Sequence, residues 1–247
     1  MAAKRSMTLD RVLSRYGLAS RADASETIRA GRIKVNGRVV RDPNLWVAPD
    51  RDVLHLDGRR LRPARRSYVL FYKPKDVITS HGDPRGRTTV YDYLGETRRW
   101  LSPVGRLDKD TSGLLLLTND TALLDFVTDP ASRVRKTYRV KASGILPEDA
   151  LETLRAGVPI SRGERARPES VRRLEDRGNY TWLEIVLTEG KNREVRRMLE
   201  AVGFKVLKLV RTRIGPLTLE GLEIGKWREL SAGEVAALRR AGRSGVR

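Results

Sequence analysis

The sequence predicts an α+β fold in two parts, on three observations. From residue 68 onward, strand-like runs dominate, at 68–72, 114–118, 138–142, 182–188 and 206–210. Helical patterns fall at 122–128, 147–156 and 194–202, so strand–helix–strand units of regular length are few and a doubly wound parallel sheet is disfavoured. No glycine signature of a dinucleotide or Walker site is present. Ahead of this larger part, over 68–236, lies a compact module at 7–62, with 63–67 reading as a linker and 237–247 as a basic, loosely ordered tail.

In the small module, Leu9, Val12, Leu13 and Tyr16 recur at helical spacing behind Thr8. A second helix can start at Ser20, with Asp23 three residues on, and end at Gly31, which supplies cap chemistry at both ends. Ile33 and Val35 then alternate into Asn36-Gly37, a type I′ hairpin signal, and Val39 resumes the strand. The run 53–56 leads into a second candidate turn at Asp57-Gly58.

In the larger part, the polar loop 104–113 runs straight into four leucines, Leu114 to Leu117. An unbroken apolar run bounded by turn formers suits a strand buried on both faces, and such a strand holds the loop before it rigidly. An acid so held, such as Asp108, is a candidate catalyst, although Asp, Thr, Ser and Gly in a row are also ordinary turn chemistry. Further on, alternation puts Tyr138 and Val140 on one strand face and Thr137 and Arg139 on the other. In the helix at 194–202, Val195, Met198, Leu199 and Val202 form an apolar stripe, with Arg193, Arg196 and Arg197 beside or opposite it.

Composition narrows the chemistry. The chain has 247 residues, 39% of them hydrophobic, and a formal charge of +19, so a folded core is affordable and a polyanion is the expected partner: RNA, DNA or an anionic membrane surface. No apolar signal core follows Met1 and no run approaches the roughly 18 residues needed to span a bilayer, which places the expected location in the cytoplasm. With no cysteine and two isolated histidines, thiolate catalysis, disulfides, cysteine zinc sites and a Ser-His-Asp triad are disfavoured. His55 and His81 receive no role, and neither a metal nor another cofactor is expected.

Several motifs resemble one family. The string Gly105-Arg106-Leu107-Asp108-Lys109-Asp110-Thr111-Ser112-Gly113, continued by the leucines and Thr118-Asn119-Asp120, closely resembles the G-R-L-D motif of ribosomal RNA pseudouridine synthases that carry an N-terminal S4 domain. The small module resembles that S4 RNA-binding domain in Leu13, Gly17, Ala19-Ser20-Arg21, Ile28, Gly31, Ile33, Val35-Asn36-Gly37 and Val40. Phe71-Tyr72-Lys73-Pro74 matches the family's K-P-x-G segment, with Asp76 where glycine is usual, which allows the backbone turn there to differ locally, and Thr121 stands where the family continues N-D with glycine. Lys136-Thr137-Tyr138 matches its K-T-Y strand, and residues 189–198 resemble its E-G-K-x-x-x-V-R-R-M motif.

The resemblance implies a catalytic domain built on a mixed, largely antiparallel sheet with flanking helices, and an enzyme that isomerises uridine to pseudouridine in ribosomal RNA without a cofactor. It makes Asp108 the catalytic residue, Tyr138 the ring that packs on the target base, and Arg196 the cation paired with Asp108. A guanidinium beside an aspartate removed from water would keep it ionised. Arg106 is a candidate to fill the space of a flipped nucleotide, Lys73 suggests a phosphate or a structural contact, and Lys191 and Arg193 are candidate RNA contacts. On the S4-like helices, Arg11, Arg15, Arg21, Arg29 and Arg32 form an expected phosphate-facing patch. The expected partner is ribosomal RNA or a pre-ribosomal particle, with large-subunit RNA favoured, no membrane and a monomeric enzyme. A non-catalytic RNA-binding or ribosome-assembly protein is the alternative. A DNA-binding protein would explain the charge, but no helix-turn-helix, zinc-finger or basic-zipper pattern stands out.

Overall fold

The computed structural model describes residues 6–16, 18, 21–62, 65–95, 100–161 and 163–242, and for Arg15, Arg21 and Ala22 the backbone alone. Of the expected features, Gly17, Ala19 and the Ser20 cap, Pro63-Ala64 of the linker and the tail beyond 242 lie outside the described residues. The chain divides into two compact units, residues up to Ser67 with Leu94–Ser102, and Tyr68–Tyr93 with Pro103 onward.

In the first unit, β1 (Met7–Thr8), α1 (Leu9–Arg15) and α2 (Arg21–Arg29) precede β2 (Ile33–Val35), β3 (Arg38–Val40), β4 (Trp46–Val47), β5 (Leu54–Leu56) and β6 (Arg59–Arg60). The four strands of its main sheet lie in the order β3-β2-β5-β6. Asn36 and Gly37 both have positive φ, 49° and 83°, as the type I′ turn requires, and Asp57 and Gly58 repeat this at 48° and 79°. Leu9, Val12, Leu13 and Tyr16 turn their helical stripe inward, onto Ala24, Ile28, Ile33 and Leu54.

The second unit contains β7 (Tyr68–Lys73), α3 (Val90–Leu94), β8 (Ser102–Pro103), β9 (Ser112–Thr118), α4 (Thr121–Thr128), β10 (Lys136–Ser143), α5 (Glu148–Ala156), β11 (Val158–Ser161), β12 (Glu164–Ala166), β13 (Ser170–Arg177), β14 (Tyr180–Leu187), α6 (Glu194–Ala201), β15 (Val206–Ile214), β16 (Leu217–Thr218), β17 (Trp227–Glu229) and α7 (Ala232–Arg240). Its sheet runs β13-β14-β10-β15-β9-β7-β17. Along that path, β15 and β9 pair in parallel and the remaining neighbours pair antiparallel, the mixed, largely antiparallel sheet expected from the resemblance.

Leu114 to Leu117 are each fully buried, so β9 is covered on both faces. Burying each leucine stabilises the fold by about 1.5–3 kcal/mol relative to leaving it in water, and this row anchors the loop that precedes it. Leu114 and Leu116 pack with Leu123 and Val127 of α4 and Leu238 of α7. Val140, Ala142, Leu183 and Ile185 pack with Leu151 and Leu154 of α5 and Met198 and Leu199 of α6.

Two local expectations change. The expected tail start at 237 falls inside α7, where Leu238 is fully buried and Arg239 pairs with Asp120, because the capping box of Ser231 and Glu234 nucleates a helix there. Asp76 takes φ 67°, so the aspartate adopts the left-handed backbone that glycine favours, and its N–H donates to the Lys109 carbonyl at 2.8 Å. At the other unusual position, Thr121 opens α4 behind Asp120, whose carboxylate caps the Leu123 N–H and accepts the Tyr68 hydroxyl at 2.9 Å.

Candidate active site

The parallel contact of β9 and β15 sets the position of everything above it. Gly113 lies opposite Arg211, and a Cβ at Gly113 would stand 2.3 Å from the Arg211 carbonyl oxygen. Only glycine allows that approach, at φ 121°. The loop entering β9 is therefore placed by backbone contact rather than by its own side chains.

Polar groups clamp the same loop. The Lys73 ammonium donates to the carbonyls of Pro74 at 2.9 Å and Thr111 at 2.8 Å. Thr79 Oγ1 donates to the Leu107 carbonyl at 2.9 Å, and Arg196 Nη2 donates to the Asp110 carbonyl at 3.1 Å. The Thr111 N–H closes the turn onto the Asp108 carbonyl at 3.0 Å. Between these points the Asp108 side chain is half-buried on the wall of a cavity of about 360 Å³, with Arg106, Tyr138, Lys136, Arg193 and Arg211. Tyr138 enters it from β10, on the same face as Val140, and its half-buried ring also packs against the core.

The cation nearest the Asp108 carboxylate is Arg193, with Nη1 3.9 Å from Oδ2. This corrects the expected partner. Arg196 is only 9% exposed, and its guanidinium is bound to carbonyls, Asp110 O and, at 3.3 Å, Val206 O, so it holds the loop. Burial and the neighbouring Arg193 push the Arg196 pKa down, while the Asp110 and Asp108 carboxylates pull it back up. Arg193 caps α6 in the left-handed conformation, φ 51°, which is uncommon outside glycine and sends its side chain toward the acid.

Other expected contacts divide. Lys73 is fully buried and its ammonium is engaged by carbonyls, so it serves the loop and does not face RNA; burial lowers its pKa to about 8. Lys191 Nζ is engaged by Glu189 at 2.9 Å and by the Arg165 carbonyl at 2.6 Å, at the cavity edge. Arg106 is exposed on the cavity wall. In the S4-like unit, Arg11 and Arg29 are exposed, whereas Arg32 is tied to Asp57 at 2.5 Å, and the side chains of Arg15 and Arg21 lie outside the description. His81 stacks on Tyr91 and shares a 3.0 Å hydrogen bond with its hydroxyl, a local structural use.

Four charged cavity residues went unassigned at the level of sequence: Lys136, Glu189, Glu194 and Arg211. The signal for Arg211 was available in strand parity, since it shares the inward face with Leu209, an odd place for a guanidinium. Burial, with the Glu189 carboxylate nearby, pushes Glu194 up to about 8, and burial with Arg211 lowers Lys136 to about 8. Among the described residues, no cluster of three or more His, Cys, Asp or Glu side chains could hold a metal ion.

The arrangement offers a carboxylate on a clamped loop, an aromatic wall and an excess of cations around a cavity of about 360 Å³. Comparison with known proteins adds independent information. The sequence profile of the family described as RNA pseudouridylate synthase matches residues 67–201, and that of the S4 domain matches residues 7–53. A protein of Aquifex aeolicus described as an uncharacterized RNA pseudouridine synthase is 38% identical, over 94% of each chain. Ribosomal large subunit pseudouridine synthase B of Bacillus subtilis is also 38% identical, over 94% of this chain and 95% of that one. Among solved structures, one described as the crystal structure of pseudouridylate synthase superposes with a TM-score of 0.66 at 29% identity, covering 94% of this chain and all of that one.

Proposed function

Because the chain belongs to the RNA pseudouridylate synthase family, we propose that it converts a specific uridine of ribosomal RNA to pseudouridine, with Asp108 as the initiating group and the large-subunit RNA as substrate. The large-subunit assignment rests on the substrate named for the Bacillus subtilis relative. The observation that carries the catalytic reading is the Asp108 carboxylate, clamped at the mouth of a cavity of about 360 Å³ with Tyr138 on its wall. That volume lies at the low end of the roughly 300–1,000 Å³ typical of ligand pockets and suits one extruded nucleotide, not a duplex.

The reaction breaks the N1–C1′ bond of uridine, turns the uracil and joins C5 to C1′. C5 loses a proton and N1 gains one, so composition is unchanged. Asp108 either attacks the sugar or nucleobase or removes a ribose proton, and Arg193, 3.9 Å away, offers its carboxylate a countercharge on each route. A uracil stacked in a helix is out of reach, so the nucleotide must be flipped out or come from a single-stranded loop. Tyr138 offers its ring to the extruded base, and the exposed Arg106 takes the vacated space. Arg196 and Lys73 act through the loop they hold.

The S4-like unit adds phosphate contacts through Arg11 and Arg29, which orient the RNA without reading its sequence. The enzyme works as a cytoplasmic monomer on free ribosomal RNA or a pre-ribosomal particle. A non-catalytic RNA-binding protein would have no use for a clamped acid facing a base-sized cavity. The test is a nucleotide-resolution map of pseudouridine in ribosomal RNA from cells with and without the gene, complemented by wild type or Asp108→Asn. One uridine should lose its modification on deletion and regain it with wild type alone; an unchanged map would overturn the assignment.

A further inference from the structure

The floor of the cavity carries two buried cations that the reading above leaves idle. Arg211, on β15, is 5% exposed; its Nε donates to the Leu114 carbonyl at 2.8 Å, while Nη2 has no hydrogen-bond partner among the described residues. Lys136, on β10, is 8% exposed, and among the described residues its one hydrogen bond from Nζ, to the Thr188 carbonyl, is long at 3.3 Å. Both line the cavity that holds Asp108 and Tyr138, and neither has a carboxylate within ion-pair distance among the described residues. The other charged groups on the cavity wall are Glu194 from α6, Glu189, Lys191 and Arg193 before it, and Arg106 and Asp108 from the loop. Glu194 is the nearest candidate counter-ion, yet its burial favours the neutral acid.

Two like charges held side by side in a site of low dielectric are costly unless an anion joins them. Cations preorganised there act most strongly on charge that appears during reaction. The proposed isomerisation, on which this inference rests, creates such charge at one place. When the N1–C1′ bond breaks, its electron pair stays with the uracil and spreads from N1 onto O2 and O4. At C1′ the lost bond is replaced by one to the Asp108 carboxylate or, on the route through ribose deprotonation, by a C1′–C2′ double bond. On either of these two routes the uracil turns while bound to nothing covalently.

We propose that Arg211, assisted by Lys136, binds the departing uracil anion, with Arg211 Nη2 donating to a ring carbonyl, and holds the ring in the cavity until C5 joins C1′. Arg211 is suited to this because its Nε contact to Leu114 ties it to β9, the same strand whose preceding loop carries Asp108. Acid and anion trap are thus registered to one strand. A flexible lysine in place of Arg211 would keep the charge and lose the fork.

The role has a chemical signature. Fluorine at C5 makes the uracil anion intrinsically more stable, so a leaving group that needs less help should be hurt less by loss of the trap. Single-turnover cleavage would be measured for wild type, Arg211→Lys, Arg211→Met and Lys136→Met on two copies of one ribosomal RNA fragment, carrying uridine or 5-fluorouridine at the target. Loss of the N1-linked nucleotide is the readout for both, because fluorine blocks proton loss from C5. Circular dichroism and RNA affinity report folding; should Arg211→Met fail to fold, Arg211→Lys and Lys136→Met carry the same comparison.

We expect the Arg211 variants to lose about 10²–10³-fold on uridine, the range for removing one donor to a developing anion, and about tenfold less on 5-fluorouridine. Lys136→Met should show the same contrast more weakly. Equal losses on both RNAs in folded variants would make Arg211 a structural residue and overturn the proposal, as would wild-type rates. A wild-type protein that leaves the target uridine intact refutes the pseudouridine synthase reading itself, and this inference falls with it.

Discussion

Replacing Gly113 with alanine tests whether backbone contact between β9 and β15 places the loop that carries Asp108. The added Cβ would stand 2.3 Å from the Arg211 carbonyl oxygen and 2.5 Å from its nitrogen, both backbone atoms that cannot swing aside. Alanine would also have to hold φ near 121°. Overpacking costs about 1–3 kcal/mol and positive φ in a residue with a Cβ about 1–2 kcal/mol, together about 2–5 kcal/mol. With a urea slope of about 2 kcal/mol per M, a loss of about 3 kcal/mol moves the unfolding midpoint down by about 1.5 M. Urea titrations followed by circular dichroism and tryptophan fluorescence would measure it, with Gly82→Ala as the control, because that Cβ meets nothing within 4 Å and its φ is ordinary. Catalysis should fall further than stability, since a displacement of about 1 Å at a reacting group can cost about 10²-fold. A midpoint within about 0.3 M of wild type, with full activity, would refute the claim that this contact places Asp108.

Four further outcomes are expected. Asp108→Asn should abolish isomerisation in a pseudouridine assay and leave RNA affinity within about twofold, because the amide keeps shape but not charge. Arg196→Met should lower stability by about 1–3 kcal/mol through the Asp110 and Val206 carbonyls it leaves unpaired, whereas Arg193→Met should lower the rate with little change in the melting curve; the reverse pattern would return the ion pair to Arg196. Lys73 sits below its ordinary pKa, at about 8, so the unfolded chain binds more protons from about pH 8 to 10.5, and wild type should gain stability relative to Lys73→Met as pH rises through that window. Parallel pH dependences of the two proteins in chemical denaturation would contradict the buried ammonium. Replacing Arg11 and Arg29 together by alanine should flatten the slope of log affinity against log salt by about 1.5–2 for ribosomal RNA, and Arg32→Ala, already tied to Asp57, should change it less.

Much of this protein was legible in one dimension because its signals are local. The Asn36-Gly37 turn, the helical stripe from Leu9 to Tyr16 and the four buried leucines each depend on neighbours within a few residues, and each appears where those patterns put it. The G-R-L-D string likewise marked Asp108, since a turn and the strand that holds it are contiguous. At Asp76 the departure from glycine suggested a locally different turn, and only the fold shows the aspartate in the left-handed backbone that glycine favours.

The composition of the cavity wall was not legible, because it depends on strands far apart in sequence. Lys136, Glu194 and Arg211 reach one cavity from β10, α6 and β15, and no spacing rule connects them. Motif order could bring Arg196 near Asp108 but could not say which guanidinium would face the carboxylate; the left-handed turn at Arg193 decided that. For Lys73 the motif left a phosphate contact and a structural one open, and packing, which sets its ammonium beneath the loop, favours the second. Local pattern thus determines which elements form and which loop carries the acid. Whether a cation meets solvent, a carbonyl or the Asp108 carboxylate is decided by burial and by the chain that crosses above it, which exist only once the sheet is assembled.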